Sequence, residues 1–412
     1  MKVGVLSLGC PRNLVDSEGI LGRLVRQGHI VTDISRAEVG IVNTCAFVKD
    51  AKEESIDAIL DLIELKRSGK LKKIIVHGCL AQRYKQELTK ELPEIDAFVG
   101  RVSLNHEKNT YRITPGHFAY LKICESCINK CSFCVIPEIK GKFSSLDIAS
   151  LVNKAVEFDE TGVKELNIIG QDISGYGLDL YGEFRLIDLI KKLLKSTKNI
   201  RWLRLLYLYP SRVTDDLLKL IKSEERVCKY IDLPVQHINS RILKLMRRNM
   251  GKDDIRNIIA NIRKKVPEAA IRTSVIVGFP TETDKEFKEL LDFIRDVKFE
   301  RLGAFIYSAE EGTGAYKLKN RVSAKTQKAR FNEVMSVQQD ISREVNAKFM
   351  GKDMRILIEE KDNGVYLGRS QFDAPEVDGI VYVKSQKMLK AGDIVQVKIT
   401  DTMEYDLMGE AK

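Results

Sequence analysis

The sequence predicts an α/β protein built in three parts: an N-terminal α/β domain with a parallel sheet, a partial (β/α)6 barrel, and a small antiparallel β-barrel at the C-terminus. Three observations predict this. Short apolar runs alternate with helical patterns as far as Met350, and such alternation implies parallel sheets. Six of those units fall in the middle of the chain, too few for an eight-stranded barrel. Beyond Met350 the runs follow one another without helices, bounded by Gly and Asp, as in a small closed β module. A chain of 412 residues has room for three domains, read here as 1–112, 113–348 and 349–412.

In the first part, Val3–Leu8, Val39–Val42 and Ile74–Val76 are apolar runs of strand length. Asp16–Val25 carries Ile20, Leu21, Leu24 and Val25 at helical spacing, and Glu54–Leu65 does the same with Ile56, Ile59, Leu60 and Ile63. Each strand run is followed at once by a turn and a cysteine: Cys10 after Leu8-Gly, Cys45 after Asn43-Thr, Cys79 after His77-Gly. Parallel strands present their carboxyl ends at one edge, so the three thiols should converge there. One cysteine at a strand end is ordinarily a small buried hydrophobe; three in register read as a ligand set. A disulfide scaffold is the other reading of so many cysteines. Against it, the start shows no secretory pattern, no apolar run is long enough to cross a membrane, and a chain of this length buries a core without staples. The expected setting is a reducing cytoplasm, with no membrane partner.

In the middle part the runs are Tyr120–Ile123, Glu165–Ile169, Trp202–Tyr207, Tyr230–Leu233, Ile271–Val277 and Leu302–Tyr307. The first leads into Cys127, Cys131 and Cys134, a CxxxCxxC triplet at a strand's carboxyl end, where α/β barrels place their active sites. Three thiolates at this spacing can hold three irons of a four-iron cluster and leave the fourth for a ligand, whereas electron carriers ordinarily use four. Cys124 makes an overlapping CxxCxxxCxxC, which also allows a four-thiolate zinc or iron site, although zinc ribbons separate their cysteine pairs by about 15–20 residues. Cys228 reads as ordinary packing, and His237, alone at a strand end, as structural. The polar helical stretch from Ala324 to Met350 should link the barrel to the last part, whose runs are Arg355–Ile358, Val365–Leu367, Gly379–Val383 and Asp393–Ile399.

Several long stretches carry a resemblance: Leu8–Glu18 (LGCPRNLVDSE), Asn43–Phe47 (NTCAF), Gly78–Tyr84 (GCLAQRY), Cys127–Pro137, Phe305–Ser308 (FIYS) with Glu311-Gly-Thr313, and Gly368–Gly379 (GRSQFDAPEVDG). In these the chain resembles the radical S-adenosylmethionine (radical SAM) methylthiotransferases over essentially its whole length. It departs from them at Lys140-Gly-Lys-Phe-Ser-Ser, where close relatives usually carry arginines. The resemblance implies a radical SAM barrel, a C-terminal TRAM domain, and two 4Fe-4S clusters with S-adenosyl-L-methionine as cofactors. The cluster at Cys127, Cys131 and Cys134 would bind S-adenosylmethionine, whose one-electron reduction yields a deoxyadenosyl radical. The cluster at Cys10, Cys45 and Cys79 would carry the sulfur species.

The branch most resembled modifies the β-carbon of an aspartate in a small-subunit ribosomal protein, the twelfth of that subunit. A small-protein electron donor such as flavodoxin or ferredoxin is implied as a partner. The other branch acts on a tRNA adenosine, and outside the enzymes the alternative is an iron–sulfur carrier or scaffold. Glu165 is expected to accept from the cofactor's ammonium, Gln171 and Asp172 to follow on the same strand, and Gly278 to let a backbone approach the adenine. No side chain is expected to act as acid, base or nucleophile, because the cofactor carries the hard chemistry.

Charge bears on the substrate. The whole chain is +10, yet residues 351–412 hold 9 Lys plus Arg against 12 Asp plus Glu, a net of −3. An acidic module binds a phosphate backbone poorly, since each neutralised phosphate needs a cation. A basic protein loop is therefore the expected partner of the last domain, and nucleic acid is disfavoured.

Overall fold

The computed structural model describes residues 1–100 and 111–412. Strands β1 (Lys2–Ser7), β2 (Ile30–Val31), β3 (Val39–Thr44), β4 (Lys73–Gly78) and β5 (Ala97–Val99) form one parallel sheet in the order β2-β1-β3-β4-β5. β3 is buried at every position, as a central parallel strand covered on both faces should be. Ile59, Leu62 and Ile63 of helix Lys49–Arg67 join the core that contains Val42, Ile74 and Val76.

Helix Pro11–Arg26 begins with a proline, whose fixed φ and missing N–H suit a first helical position. Helix Cys79–Glu91 begins one residue after Gly78, which has φ of 100°. A Cβ at Gly78 would stand 2.4 Å from Asn43 Oδ1 and 2.7 Å from the Thr44 carbonyl, so only glycine admits this turn.

The middle of the chain supplies β6 (Phe118–Lys122), the short antiparallel pair β7 (Cys124–Glu125) and β8 (Ser144–Ser145), then β9 (Glu165–Ile169), β10 (Trp202–Leu205), β11 (Tyr230–Asp232), β12 (Ala270–Val277) and β13 (Arg301–Ile306). The parallel sheets β10-β9-β6 and β11-β12-β13 join through Leu203 N–H to the Arg226 carbonyl (2.7 Å) and Cys228 N–H to the Leu203 carbonyl (3.0 Å). β6 and β13 do not pair, so the six strands make a partial barrel. Helix Ala324–Ala347 does more than link: it buries Val334, Ile341 and Val345 and packs on β13.

β14 (Asp353–Asp362), β15 (Val365–Ser370), β16 (Val381–Lys384), β17 (Ile394–Thr402) and β18 (Leu407–Ala411) close into a small barrel, antiparallel except between β16 and β18. Its core holds Ile356, Ile358, Val383, Val397 and Ile399. This module covers the amino ends of the barrel strands. Arg369 and Arg204 both bind the Glu165 carboxylate (2.6 and 2.7 Å), Arg301 binds Asp373 (2.5 Å), and the Tyr230 hydroxyl donates to Asp378 (2.6 Å). Among the described residues, no helix is long and apolar enough to cross a membrane.

Candidate active site

The carboxyl ends of the barrel strands face the N-terminal domain. Lys122 at the end of β6 pairs with Asp16 and, at 2.8 Å, with Glu125; Lys140 reaches the same two carboxylates at 3.4 and 3.2 Å. A cation therefore does stand at the point where the sequence departs from arginine. Glu310 binds both Lys52 (2.8 Å) and Arg83 (2.7 Å), and Ser308 Oγ accepts from Lys49 N–H at 3.3 Å. The turns that carry Cys10, Cys45 and Cys79 are thus held over the barrel mouth.

Asn13 and Asn43 fix the relation between those turns. Asn13 Nδ2 donates to the carbonyls of Leu8 (3.0 Å) and Thr44 (3.1 Å), while Asn43 Nδ2 donates to the Asn13 carbonyl (2.7 Å) and Ser17 Oγ (2.9 Å). Gly9 leaves room for Cys45, whose Sγ would lie 3.2 Å from a Cβ there. Cys10 caps one helix and Cys79 opens another, positions where N–H dipoles favour a thiolate. Burial opposes ionisation of Cys10, yet the Arg12 guanidinium and the N–H groups of Asn13 and Arg12 carry its thiol below the ordinary value. Burial raises Cys45 and pushes Cys79 up to about 12, with Cys10 and Cys45 adding repulsion at Cys79.

The loop with Cys127, Cys131 and Cys134 is held by its own set of polar groups. Asn129 donates to Cys127 Sγ through N–H (3.4 Å) and Nδ2 (3.3 Å), and Nδ2 also donates to Asp172 (2.6 Å). Arg212 binds Asp172 and Asn129 Oδ1, Arg248 Nη1 lies 3.8 Å from Cys131 Sγ, and Ser132 Oγ donates to the Leu245 carbonyl (2.6 Å). Burial pushes the Cys127 thiol up to about 11 and Cys134 up to about 12.

Two soft donor triplets of this kind fit iron–sulfur clusters. Among the described residues, no three His, Cys, Asp or Glu side chains close around a single ion; a cluster instead spreads its thiolates over three irons. Deprotonation of such buried thiols is coupled to metal binding, which replaces the proton with a stronger positive charge.

Cys124 is not part of either triplet. It is fully buried in the core between the strands and their helices, its Sγ is 3.8 Å from the Asp172 carbonyl, and Gly170 makes room for it: a Cβ there would meet the sulfur at 2.5 Å. Cys228 packs beside Trp202 and Tyr230, and His237 is buried with Nδ1 accepting from Asn239 N–H at 3.0 Å.

The structure corrects two expected cofactor contacts. Glu165 is the first residue of β9, at the end of the barrel away from the cysteines, and both carboxylate oxygens are taken by Arg204 and Arg369. Burial opposes its ionisation, but those two guanidinium groups hold its carboxyl below the ordinary value. Gly278 has φ of 69°, a Cβ there would meet Gln327 Cγ at 2.3 Å, and its backbone is engaged within the chain: its N–H donates to Glu282 (3.0 Å) and its carbonyl accepts from Gln327 Nε2 (3.0 Å). Gln171 follows β9 on the cysteine side, and its buried Oε1 has no hydrogen-bond partner among the described residues.

The sequence reading gave Arg12 and Tyr207 no individual role. Arg12 Nη1 donates to the Gly170 carbonyl (2.8 Å) just past β9, and its Cζ stands 4.6 Å over the Tyr207 ring just past β10. Its charge acts on Cys10 and Cys45 of one triplet and on Cys134 of the other. The local signal was a basic residue two positions after a candidate ligand.

Residues 2–100 match the uncharacterized protein family UPF0004, residues 121–294 the radical SAM superfamily, and residues 350–411 the TRAM domain. The ribosomal protein uS12 methylthiotransferase RimO of Clostridioides difficile is 46% identical over 438 residues, covering 100% of this chain and 98% of the relative. The chain belongs to the RimO family of radical SAM methylthiotransferases. RimO of Aquifex aeolicus is likewise 46% identical, over 99% of this chain and 97% of its own. Among solved structures, the radical S-adenosylmethionine methyltransferase TsrM of Kitasatospora setae, determined with cobalamin and a [4Fe-4S] cluster bound, superposes with a TM-score of 0.56 at 12% identity over 95% of this chain and 83% of that one. That likeness supports the fold. The RimO family uses S-adenosylmethionine and [4Fe-4S] clusters, and the donor triplets fit them.

Proposed function

We propose that this chain attaches a methylthio group to the β-carbon of an aspartate in ribosomal protein uS12. The observation that carries the reading is the meeting of two thiol triplets, from two domains, across Arg12 at one barrel mouth, in a chain 46% identical along its length to uS12 methylthiotransferases. Cys127, Cys131 and Cys134 would hold the cluster that binds S-adenosylmethionine; Cys10, Cys45 and Cys79 would hold the second. When bound, these groups supply hydrogen abstraction and sulfur transfer, replacing a substrate C–H bond by C–SCH3.

The chain's own residues bind, orient and exclude water. Asn129, Asp172, Arg212 and Arg248 hold the three-cysteine loop in one geometry, and Gln171 Oε1 offers an acceptor to the cofactor's ammonium in place of Glu165. Asn13 and Asn43 hold the turns of the second thiol triplet to one another. The unpaired gap between β6 and β13 would admit a protein loop. A one-electron donor such as flavodoxin or ferredoxin would serve as reductant in the cytoplasm.

The test is to incubate anaerobically reconstituted protein with S-adenosylmethionine, a reductant, and either a uS12 loop peptide or a tRNA anticodon stem. Mass spectrometry should find a methylthio group in place of hydrogen on the peptide's aspartate, with deuterium from the β-carbon appearing in deoxyadenosine. Methylthiolation of an adenosine instead would overturn the proposal.

A further inference from the structure

We propose that Arg12 recognises the side-chain carboxylate of the substrate aspartate and so selects the carbon that is modified. This rests on the aspartate reading above and adds the residue that makes the selection.

The first argument is about partners. Several other cations of the barrel are matched by a carboxylate of the chain: Arg204 and Arg369 by Glu165, Arg272 by Asp232, Arg301 by Asp373, Lys122 by Asp16 and Glu125; Arg248 at the mouth is held instead by the Pro234 carbonyl and the Tyr209 ring. Arg12 has no carboxylate partner among the described residues. The largest acidic influence on it is the Cys10 thiol, a group that an iron would claim; the carboxylate that acts on it, Glu125, is taken by Lys122 and Lys140. Its one hydrogen bond to oxygen is to the Gly170 carbonyl, and its face rests on Tyr207, contacts that orient a guanidinium without neutralising it. A half-buried cation left in this state is suited to an anion that arrives with the ligand.

The second argument is about place. Arg12 follows Cys10 by two residues, lies against the residues just past β9 and β10, and acts on thiols of both triplets, so it stands between them. The reacting carbon must lie between the same two groups. In aspartate that carbon is bonded directly to the carboxylate carbon, so a guanidinium fork holding the two oxygens also fixes the β-carbon.

The experiment compares two uS12 loop peptides that differ by Asp or Asn at the target, against wild-type, Arg12→Gln and Arg12→Lys holoenzymes. Peptide affinity is read by fluorescence anisotropy, and KM and kcat by mass spectrometry. Iron content and peptide-free cleavage of S-adenosylmethionine are measured alongside. The wild type should prefer the Asp peptide by about 10- to 100-fold, the range of a hydrogen bond to a charged group. Arg12→Gln should bring the ratio near one, and Arg12→Lys, which keeps the charge but loses the fork, should fall between.

Affinities and rates are referred to the iron content and the peptide-free cleavage of the same sample, so that a change in cluster loading is separated from a change in the ratio. An Asp/Asn ratio that survives in Arg12→Gln overturns the proposal. So does a fall in iron or in peptide-free cleavage with the ratio intact, since Arg12 would then serve the cluster or the cofactor. A wild type that modifies neither peptide overturns the uS12 reading, and this inference with it; one that modifies the Asp peptide while Arg12→Gln keeps the preference overturns this inference alone.

Discussion

The two ends of the barrel are built from the same residue types and do opposite things. At the amino end, Glu165, Arg204, Arg369, Arg301 and Asp373 are all buried or nearly so, and each is bonded to an opposite charge of the chain, with Glu165–Arg369 and Arg301–Asp373 crossing the junction with the C-terminal module. At the carboxyl end, among the described residues, the Arg12 guanidinium has no carboxylate partner and Gln171 Oε1 no hydrogen-bond partner, and the charge that Arg12 faces is that of the candidate ligand thiols. Matched polar groups hold a structure together; unmatched ones in a partly closed site call for a ligand. Part of the acidic charge of the last domain belongs to the first kind: Glu359, Asp373 and Asp378 pair with Arg369, Arg301 and Arg272. Asp373, exposed by only 2%, is a clamp on Arg301 and is not available to a substrate, contrary to the expectation from charge alone.

The largest test of this contrast removes the ligands at the mouth. Replacing Cys127, Cys131 and Cys134 together by Ala should abolish reductive cleavage of S-adenosylmethionine and lower bound iron from about eight to about four. Replacing Cys10, Cys45 and Cys79 should lower iron equally but leave cleavage intact, as read by iron assay and deoxyadenosine formation. Loss of cleavage in the second variant with its other cluster intact would break the assigned division of labour.

Glu165→Gln tests the other end. It leaves two buried guanidinium groups under-paired, so urea unfolding should show a loss of about 3–5 kcal/mol, while cleavage per folded molecule should hold. The folded-state value of this carboxyl is depressed. Its contribution is therefore present above the unfolded value of about 4.3 and is lost as pH falls through the lower folded value. The variant should show a shallower acid limb than the wild type, and equal limbs would mean the network does not hold the junction.

Smaller effects sharpen the boundary between the two kinds of site. Cys124→Ser should leave iron and activity unchanged and cost about 1–3 kcal/mol for a hydroxyl in an apolar core; loss of a cluster would make Cys124 a ligand. Smallest of all is Glu376→Lys. Glu376 is exposed beside the Tyr120 hydroxyl (3.3 Å) on the one stretch of the acidic loop that reaches solvent, and reversal should weaken binding of a basic uS12 peptide by no more than about 1 kcal/mol, more at low salt. Asp373→Lys, by contrast, should destabilise the fold and change binding only through it.

The cysteines were legible because each follows a strand run and a tight turn, so a one-dimensional pattern implied a common edge; the six barrel runs and the helix-free tail were legible for the same reason. Cys124 was ambiguous by spacing, and only its side-chain direction, into the space left by Gly170, resolves it. Glu165 was placed on the right strand but at the wrong end of it, although its position at the start of the run was a clue to the amino end of a parallel sheet. Nothing local marked Asp373 as a buried partner of Arg301, which lies 72 positions away.

What the sequence by itself determined is the set of parts: periodicity gives strands and helices, cysteine spacing gives one candidate ligand set, and the places of three more cysteines just after strand runs give the second, because all of these depend on neighbours along the chain. What only the tertiary structure decided is which charges cancel. Arg12, Arg204 and Arg301 look alike in the chain, yet two are neutralised by carboxylates brought from distant positions and one is left for a ligand. Coulombic pairing depends on separation in space, which sequence separation does not measure.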